Sequence, residues 1–257
     1  MENLQEAKQL IGEAKNIYII PDQGAGKEAQ TSALALFYTL KEIGKNVNLS
    51  ISDLPENLKF LIPSLDFISY PKNFVVSIPS KIADVSQIYY EKDEQGLKVH
   101  LTLDKGIIKK DDVSFYYSEV KPDLVITLGI KDFKEEMAKK MDSFGFLLDA
   151  PILNIDNESV PMASPSSIPD EVGTKNKNFG KINLLRDSSI SELALDLVKN
   201  PHIESVNKEA ATCFLAGIAS YTENFGNSKV SPEIFETASL LMKRGADLKI
   251  IKENIFT

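Results

Sequence analysis

The feature that most constrains this sequence is the order of apolar and amphipathic segments in its first fifty residues. The apolar segment Ile17–Ile20 is typical of a short buried strand, and Asn46–Ile51 is typical of a second strand. Between them, Ala29–Leu40 carries apolar residues at helical spacing, and Gly44 ends that helix. A strand, a helix and a second strand in this order predict two parallel strands joined by a right-handed crossover.

Further strands are predicted at Phe74–Ile78, Leu124–Leu128 and Pro151–Ile155. The last third of the chain has helical periodicity, and Ser189 with Glu192 forms the pattern of a capping box. We therefore predict an α/β fold with a doubly wound, mostly parallel sheet of about five strands and a helical C-terminal third.

Residues 79–120 interrupt this pattern with an inserted β-hairpin in a single domain that spans 1–257. Val85–Tyr90 and Leu97–Leu103 flank the turn Asp93–Gly96. Because an isolated hairpin is marginal in water, its strands need a partner. We predict that the hairpin extends the edge of the sheet and contributes to a homodimer. The alternative is that it folds back over its own domain.

Composition excludes several classes of function. Acidic residues outnumber basic ones by 37 to 29, and the net charge of −8 argues against a protein that binds long nucleic acids. The single cysteine allows no internal disulfide, which fits the cytoplasm. No apolar segment approaches the roughly 18 residues that cross a membrane, so no membrane association is expected.

Four segments, in this order, resemble the phosphoesterase domain of the DHH superfamily, which includes oligoribonucleases and cyclic-dinucleotide phosphodiesterases. They are the loop and helix from Pro21 to Leu36, in which Ser32–Leu36 matches the family's helix, the strand Asp123–Leu128, the segment Asn154–Glu158, and the helical segment Ala216–Phe225. Asn154–Glu158 stands where the name-giving Asp-His-His occurs. The resemblance covers about the whole chain except the hairpin. No Gly-Gly pair occurs, so the sequence lacks the motif of the family's second, substrate-binding domain.

The resemblance implies a site for two divalent metal ions, Mn²⁺ or Mg²⁺, which activate water for attack on phosphorus. The positions that match this site are Asp22, Gly26, Glu28, Gly129, Asp156, Asn157, Glu158 and Tyr221. Asp156 keeps the first residue of Asp-His-His, but Asn157 and Glu158 replace both histidines. An alternative register aligns Pro21 and Asp22 with the Pro-Asp dipeptide of the family; it keeps one aspartate and loses the second.

Neither register leaves enough anionic ligands for two metal ions, because glycine, asparagine and neutral tyrosine are poor donors. Asp22, Glu28 and Glu158 are the remaining weak metal-ligand candidates. We therefore expect no catalytic residue, no metal and no cofactor, and we interpret the chain as a pseudoenzyme that acts as a binding or scaffold protein. The alternative is an active metal-dependent phosphodiesterase with a rearranged metal site, acting on short oligonucleotides or cyclic dinucleotides.

A weaker hypothesis is an anion site in the loop before the helix Ala29–Leu40. Gly24, Gly26 and Lys27 could bind an anion such as a phosphate or a nucleotide through backbone N–H groups at the start of the helix. The loop does not match a Walker motif, because Glu28 follows the lysine. The two histidines, His100 and His202, and the single Cys213 form no pattern of a nucleophilic site.

Overall fold

The computed structural model describes residues 2–22, 26–51, 54–62, 72–94, 96–130, 150–157 and 179–256. They form two compact units, one of Met1–Pro71 with Lys121–Thr257 and one of Lys72–Val120. Among the described residues, no helix is long and apolar enough to cross a membrane.

The described strands, in chain order, are β1 (Asn16–Pro21), β2 (Asn46–Leu49), β3 (Lys72–Ser77), β4 (Ala83–Asp93), β5 (Gly96–Gly106), β6 (Ser114–Glu119), β7 (Leu124–Leu128), β8 (Ile152–Asp156) and β9 (Ile182–Leu185). The described α-helices are α1 (Glu2–Glu13), α2 (Lys27–Glu42), α3 (Ile190–His202), α4 (Lys208–Tyr221), α5 (Pro232–Lys243) and α6 (Leu248–Ile255). A short 3-10 helix, Glu56–Leu61, follows β2.

The larger unit contains a five-stranded parallel sheet with the strand order β2-β1-β7-β8-β9. The order reverses direction at β1, because β2 lies on one side of β1 and β7, β8 and β9 lie on the other. A reversal of this kind opens a crevice between β1 and β7 at the carboxyl ends of the strands. The sheet therefore positions any ligand site beyond Pro21 and Leu128.

The strands are almost continuously apolar because both faces of the sheet are covered. One face carries the main core, in which Ile17, Ile19 and Ile126 meet buried residues of the described α-helices. The other face carries a smaller cluster that includes Tyr18 and Val125. Alternate residues of one strand thus enter different cores, as a strand period of two requires.

The helical C-terminal third begins where the sequence places helix caps. Ser189 precedes α3, and its side chain accepts a hydrogen bond from the N–H of Ser191. Ser231 caps α5 in the same way and is followed by proline at the first helical position. Helix α4 packs closely across α2 and α3, where the hydroxyls of Ser32 and Ser191 are hydrogen-bonded at 2.6 Å in a buried environment.

The smaller unit contains two separate two-stranded antiparallel sheets, β3 with β6 and β4 with β5. The predicted inserted hairpin is confirmed as β4–β5. The prediction that it extends the parallel sheet is wrong, because within the described part of the chain β4 and β5 pair only with each other. The inserted unit also begins at Lys72 rather than residue 79, because it includes β3.

The predicted α/β fold and its helical C-terminal third are confirmed, but one strand of the parallel sheet is not the predicted one. Phe74–Ile78 was predicted for the parallel sheet, but β3 pairs antiparallel with β6 in the inserted unit. The fifth parallel strand is β9, which the sequence analysis did not predict. Its four residues alternate between buried and half-buried positions, so it lacks the continuous apolar pattern of a central strand.

Candidate functional site

A cavity of about 330 Å³ lies at the carboxyl ends of the parallel strands. It is lined by Gly26, Glu28, Ala29, Gly129, Asp156, Asn157, Asp187, Ile190, Tyr221 and Lys229. Gly129 follows β7, Asp156 ends β8, and Asp187 lies just beyond β9, while Gly26 and Glu28 come from the start of α2. The cavity therefore lies where the reversal of the strand order opens the sheet.

The structure brings together most of the positions that the sequence identified. Six of them line the cavity: Gly26, Glu28, Gly129, Asp156, Asn157 and Tyr221. Asp22 is buried next to them, since a Cβ atom added to Gly129 would lie 3.9 Å from the Cβ of Asp22. Glu158 and Gly24 lie outside the described residues.

Glu28 is held as a hydrogen-bond acceptor at the start of another helix. Its Oε1 accepts a 2.6 Å bond from the N–H of Ile190, the first residue of α3, and its Oε2 accepts a 3.2 Å bond from Nδ2 of Asn157. Burial nevertheless raises the pKa of Glu28 to about 7, against the opposing effects of the hydrogen bonds from Ser189 and Ile190 and of the Lys229 charge. Desolvation is therefore the larger effect on this carboxyl.

We expect Glu28→Gln to stabilise the protein at pH 8 and to remove part of its pH dependence. In the unfolded chain the carboxyl has its usual pKa of 4.5, whereas in the folded protein the pKa is about 7. The folded state thus holds the extra proton, and its stabilisation is lost as the pH rises from about 4.5 to about 7. Between pH 5 and pH 8, the free energy of unfolding of wild type should therefore fall by about 2 kcal/mol more than that of the variant.

Urea unfolding at the two pH values measures this difference. Glu42→Gln is the matched control, because Glu42 is exposed at the other end of the same helix. Equal pH dependence in wild type and Glu28→Gln would show that burial does not control the ionisation of Glu28.

Asp156 and Asn157 extend from β8 into the cavity. Asp156 is only 4% exposed, and its Oδ1 accepts a 2.7 Å hydrogen bond from the N–H of Asn157. Asn157 in turn donates through its side chain to Glu28. The segment that resembles Asp-His-His therefore forms a hydrogen-bonded connection between β8 and α2.

The backbone conformation and the close neighbours of Gly129 both favour glycine at this position. Its φ of +66° favours glycine. A Cβ atom at this position would lie 3.2 Å from the Cβ of Ala29 and 3.3 Å from the Cδ1 of Ile190. A side chain at the end of β7 would therefore have to displace these two neighbours by a few tenths of an ångström.

Tyr221 and Lys229 form the polar and aromatic wall of the cavity. The Nζ of Lys229 lies 4.2 Å from the centre of the Tyr221 ring, in a cation–π contact. Burial and the nearby carboxylates, Asp187 among them, raise the pKa of Tyr221, so its hydroxyl is neutral at pH 7. Lys229 is the only basic side chain among the described residues that line the cavity.

An unusual turn brings Lys229 to this position. Glu223, Asn224 and Phe225, which follow α4, have φ values of 49°, 58° and 62°. Left-handed backbone costs about 1 kcal/mol or more for each non-glycine residue. The turn is held by a 2.7 Å bond from Asn224 N–H to the carbonyl of Ala219 and by a bond from Phe225 N–H to the Thr222 hydroxyl.

Lys27, one of the candidates for anion binding through backbone N–H groups, directs its side chain to the end of α6. Its Nζ donates a 2.9 Å hydrogen bond to the carbonyl of Ile255 at the end of α6 and lies 6.0 Å from the ring centre of Phe256. Lysine at the end of a helix satisfies a free carbonyl and matches the helix dipole. Lys27 therefore ties α2 to α6, and Lys229 supplies the positive charge of the cavity.

The sequence analysis missed Asp187 and Lys229. Asp187 had a usable signal, since a residue just beyond a parallel strand belongs to this end of the sheet; the signal was lost because β9 was not predicted. Lys229 has no local signal, because its position depends on the left-handed turn after α4.

The described side chains at this cavity do not fit a two-metal centre. Within the described ranges, no group of three or more His, Cys, Asp or Glu residues is arranged to hold a metal ion. Both oxygens of Glu28 and one oxygen of Asp156 accept hydrogen bonds from the protein. A pair of hard divalent ions requires several anionic oxygens directed at them, which this arrangement does not supply.

Comparisons with known proteins identify the architecture. No protein-family model and no curated protein matches the sequence. An exopolyphosphatase-related protein from Bacteroides fragilis superposes with a TM-score of 0.65 at 17% identity, over 99% of this chain and 60% of that protein. The likeness shows a shared fold. The chain thus spans well under two thirds of that protein.

A second solved structure, a putative family II inorganic pyrophosphatase from Methanococcus jannaschii, gives a TM-score of 0.42 at 13% identity. It covers 92% of this chain and 58% of that protein.

Proposed function

We propose that this chain is a DHH phosphoesterase-like protein that has lost hydrolytic activity and acts as a binding or scaffold protein. One observation carries the proposal. Six of the positions that the resemblance assigns to the metal site line one cavity, and four of these six, Gly26, Gly129, Asn157 and Tyr221, cannot bind a metal as an anionic donor. The fold shared with an exopolyphosphatase-related protein supports the same ancestry.

The surroundings of Gly129 favour loss of function over a simple exchange of ligands. Ala29 and Ile190 stand within 3.3 Å of the position that a Cβ atom would take. A side chain with a carboxylate could be placed there only if these neighbours shifted, which has a cost in close-packed surroundings.

The remaining acids have structural roles in this interpretation. Glu28 joins α2 to the start of α3, and Asp156 holds the chain turn after β8. The hydrogen bonds at the start of α3 offset only part of the desolvation that raises the pKa of Glu28. Each of the two acids accepts its hydrogen bonds from the protein, without a metal.

For the ligand, we propose a small phosphate or nucleotide. A cavity of about 330 Å³ has the size of a small-molecule site. The N-terminus of α2 and Lys229 favour a phosphate group, and the Tyr221 ring offers an apolar surface. The three lining acids oppose a strongly charged ligand, so a single phosphate group suits the cavity better than a polyphosphate chain.

We expect no hydrolysis of bis-p-nitrophenyl phosphate, dinucleotides or cyclic dinucleotides above background with Mn²⁺ or Mg²⁺. The experiment compares wild type with Glu28→Ala and with Glu42→Ala, a change at an exposed acid of the same helix. Metal-dependent turnover that is lost in Glu28→Ala and kept in Glu42→Ala would establish an active phosphodiesterase with a rearranged metal site. Anomalous scattering from Mn²⁺-soaked crystals would then show strong peaks beside Glu28.

Ligand binding has its own test. Thermal shift and calorimetry with inorganic phosphate and with AMP should show binding to wild type, and Lys229→Gln should weaken it about tenfold. Lys243→Gln, which removes a lysine outside the cavity, should leave it unchanged. Equal binding by both variants would exclude this cavity as the phosphate site.

A further inference from the structure

The β4–β5 hairpin presents one face that is almost entirely apolar. In its antiparallel register, Ile88 stands opposite Leu101, Tyr90 opposite Val99, and Lys92 opposite Leu97. Because side chains alternate along a strand, these residues project from the same side of the hairpin. We call this side the apolar face; its members are Ile88, Tyr90, Lys92, Leu97, Val99 and Leu101.

The apolar face is exposed. Ile88, Tyr90, Leu97 and Val99 are 70%, 74%, 64% and 58% exposed, so no described residue of the inserted unit covers them. Together they present roughly 500 Å² of largely apolar surface, comparable to the largest patch on a typical monomer. Patches of this size are often functional.

The opposite face of the same hairpin is largely polar. It carries Gln87, Tyr89, Glu91, Lys98, His100 and Thr102. Glu91 stands opposite Lys98, and the rings of Tyr89 and His100 stack at 4.5 Å. The difference between the two faces is that of a sheet with one buried side.

A two-stranded sheet of this length is marginally stable unless a further layer packs on it. Each strand has 11 residues, and within the described chain β4 and β5 hydrogen-bond only to each other. The apolar face is therefore the surface on which a stabilising layer would pack.

We propose that two copies of the chain pack these apolar faces against each other as a two-fold symmetric pair of sheets. An apolar face can pack on its own copy, which is the requirement of an isologous interface. Two such faces would bury roughly 1,000 Å², about the area at which a contact qualifies as a biological interface.

Charge also favours a second copy. Lys72–Val120 contains seven lysines and eight acidic residues, a net charge of −1, although the whole chain carries −8. Two inserted units therefore meet with little repulsion, and charges elsewhere are screened over about 8 Å at physiological salt. The one charge on the face, Lys92, lies next to the hairpin turn, where it can remain in water.

Multi-angle light scattering tests the pairing. Wild type at 50–100 µM should have twice the chain mass of 28.5 kDa. Val99→Lys with Leu101→Lys should be monomeric, with dimer affinity reduced at least about 100-fold by the buried charges. The matched control, His100→Lys with Thr102→Lys, adds the same two charges to the polar face of the same strand and should stay dimeric.

The proposal is wrong if wild type is monomeric, if the apolar-face variant is folded and dimeric, or if the control dissociates equally. A second measurement tests the pairing without any substitution in the apolar face. A spin label at Lys98→Cys, on the polar side, should report inter-copy distances of about 20–40 Å, because packed sheets lie about 10 Å apart. The native Cys213 is buried and should not be labelled. A dimer without dipolar coupling in this range would show that another surface pairs.

Discussion

Gly129→Asp, which restores an acid at the end of β7, is expected to destabilise the protein by about 4 kcal/mol and to restore no metal binding. Three effects add. The backbone φ of +66° strains a residue with a Cβ, the new Cβ lies within 3.3 Å of Ala29 and Ile190, and the carboxylate enters a cavity that already holds acidic groups. For a chain of 257 residues the melting temperature should fall by roughly 10 °C.

Alanine variants separate backbone strain from packing at this site. Gly44 also has a positive φ, +80°, but an added Cβ meets no atom within 4 Å. Gly44→Ala should therefore lose only about 1 kcal/mol from strain, and Gly129→Ala should lose distinctly more. Calorimetric melting of all three variants decides the comparison. If Gly129→Asp keeps wild-type stability and binds Mn²⁺, the pseudoenzyme interpretation is wrong.

Gly217→Ala, in the middle of α4, is expected to lose about 3 to 4 kcal/mol, although alanine favours helices. A Cβ at this position would lie 1.9 Å from the Ser191 hydroxyl and 2.9 Å from the Thr31 hydroxyl. To make room, Ser191 must turn away and give up its buried hydrogen bond to Ser32. The loss combines overpacking with an unsatisfied polar group.

Two comparisons test this explanation. Gly12 is a glycine of α1 with no atom within 4 Å of an added Cβ, so Gly12→Ala should stabilise the protein by up to about 1 kcal/mol. In a Ser191→Ala background, Gly217→Ala should cost at least about 1 kcal/mol less, because the shortest contact is gone. If Gly217→Ala and Ser191→Ala have additive effects on the free energy of unfolding in urea, the contact with Ser191 is not the cause of the lost stability.

The sequence determined the elements that depend on local pattern. Continuous apolar segments defined β1, β7 and β8, and helical periodicity with Ser189 as a cap defined α3. The hairpin followed from alternation around a turn. These signals act between residues close in the chain, so one sequence suffices to detect them.

The sequence also named most of the positions that line the cavity, through a resemblance that preserves their order along the chain. It could not show how they are used. Glu28 accepts a bond from Ile190, 162 residues away, and Lys27 binds the carbonyl of Ile255. Contacts of this kind depend on how α2, α3 and α6 meet, and no local pattern contains that information.

Only the tertiary structure decided which strands share a sheet and which residues complete the site. β3 has a strand pattern like β7, yet β3 pairs with β6 in the inserted unit, while the weakly apolar β9 closes the parallel sheet. Asp187 reaches the cavity because β9 joins that sheet, and Lys229 because three left-handed residues redirect the chain. A strand's partner and a turn's direction are set by the packing of distant segments, whereas periodicity reports only which side of each element is apolar.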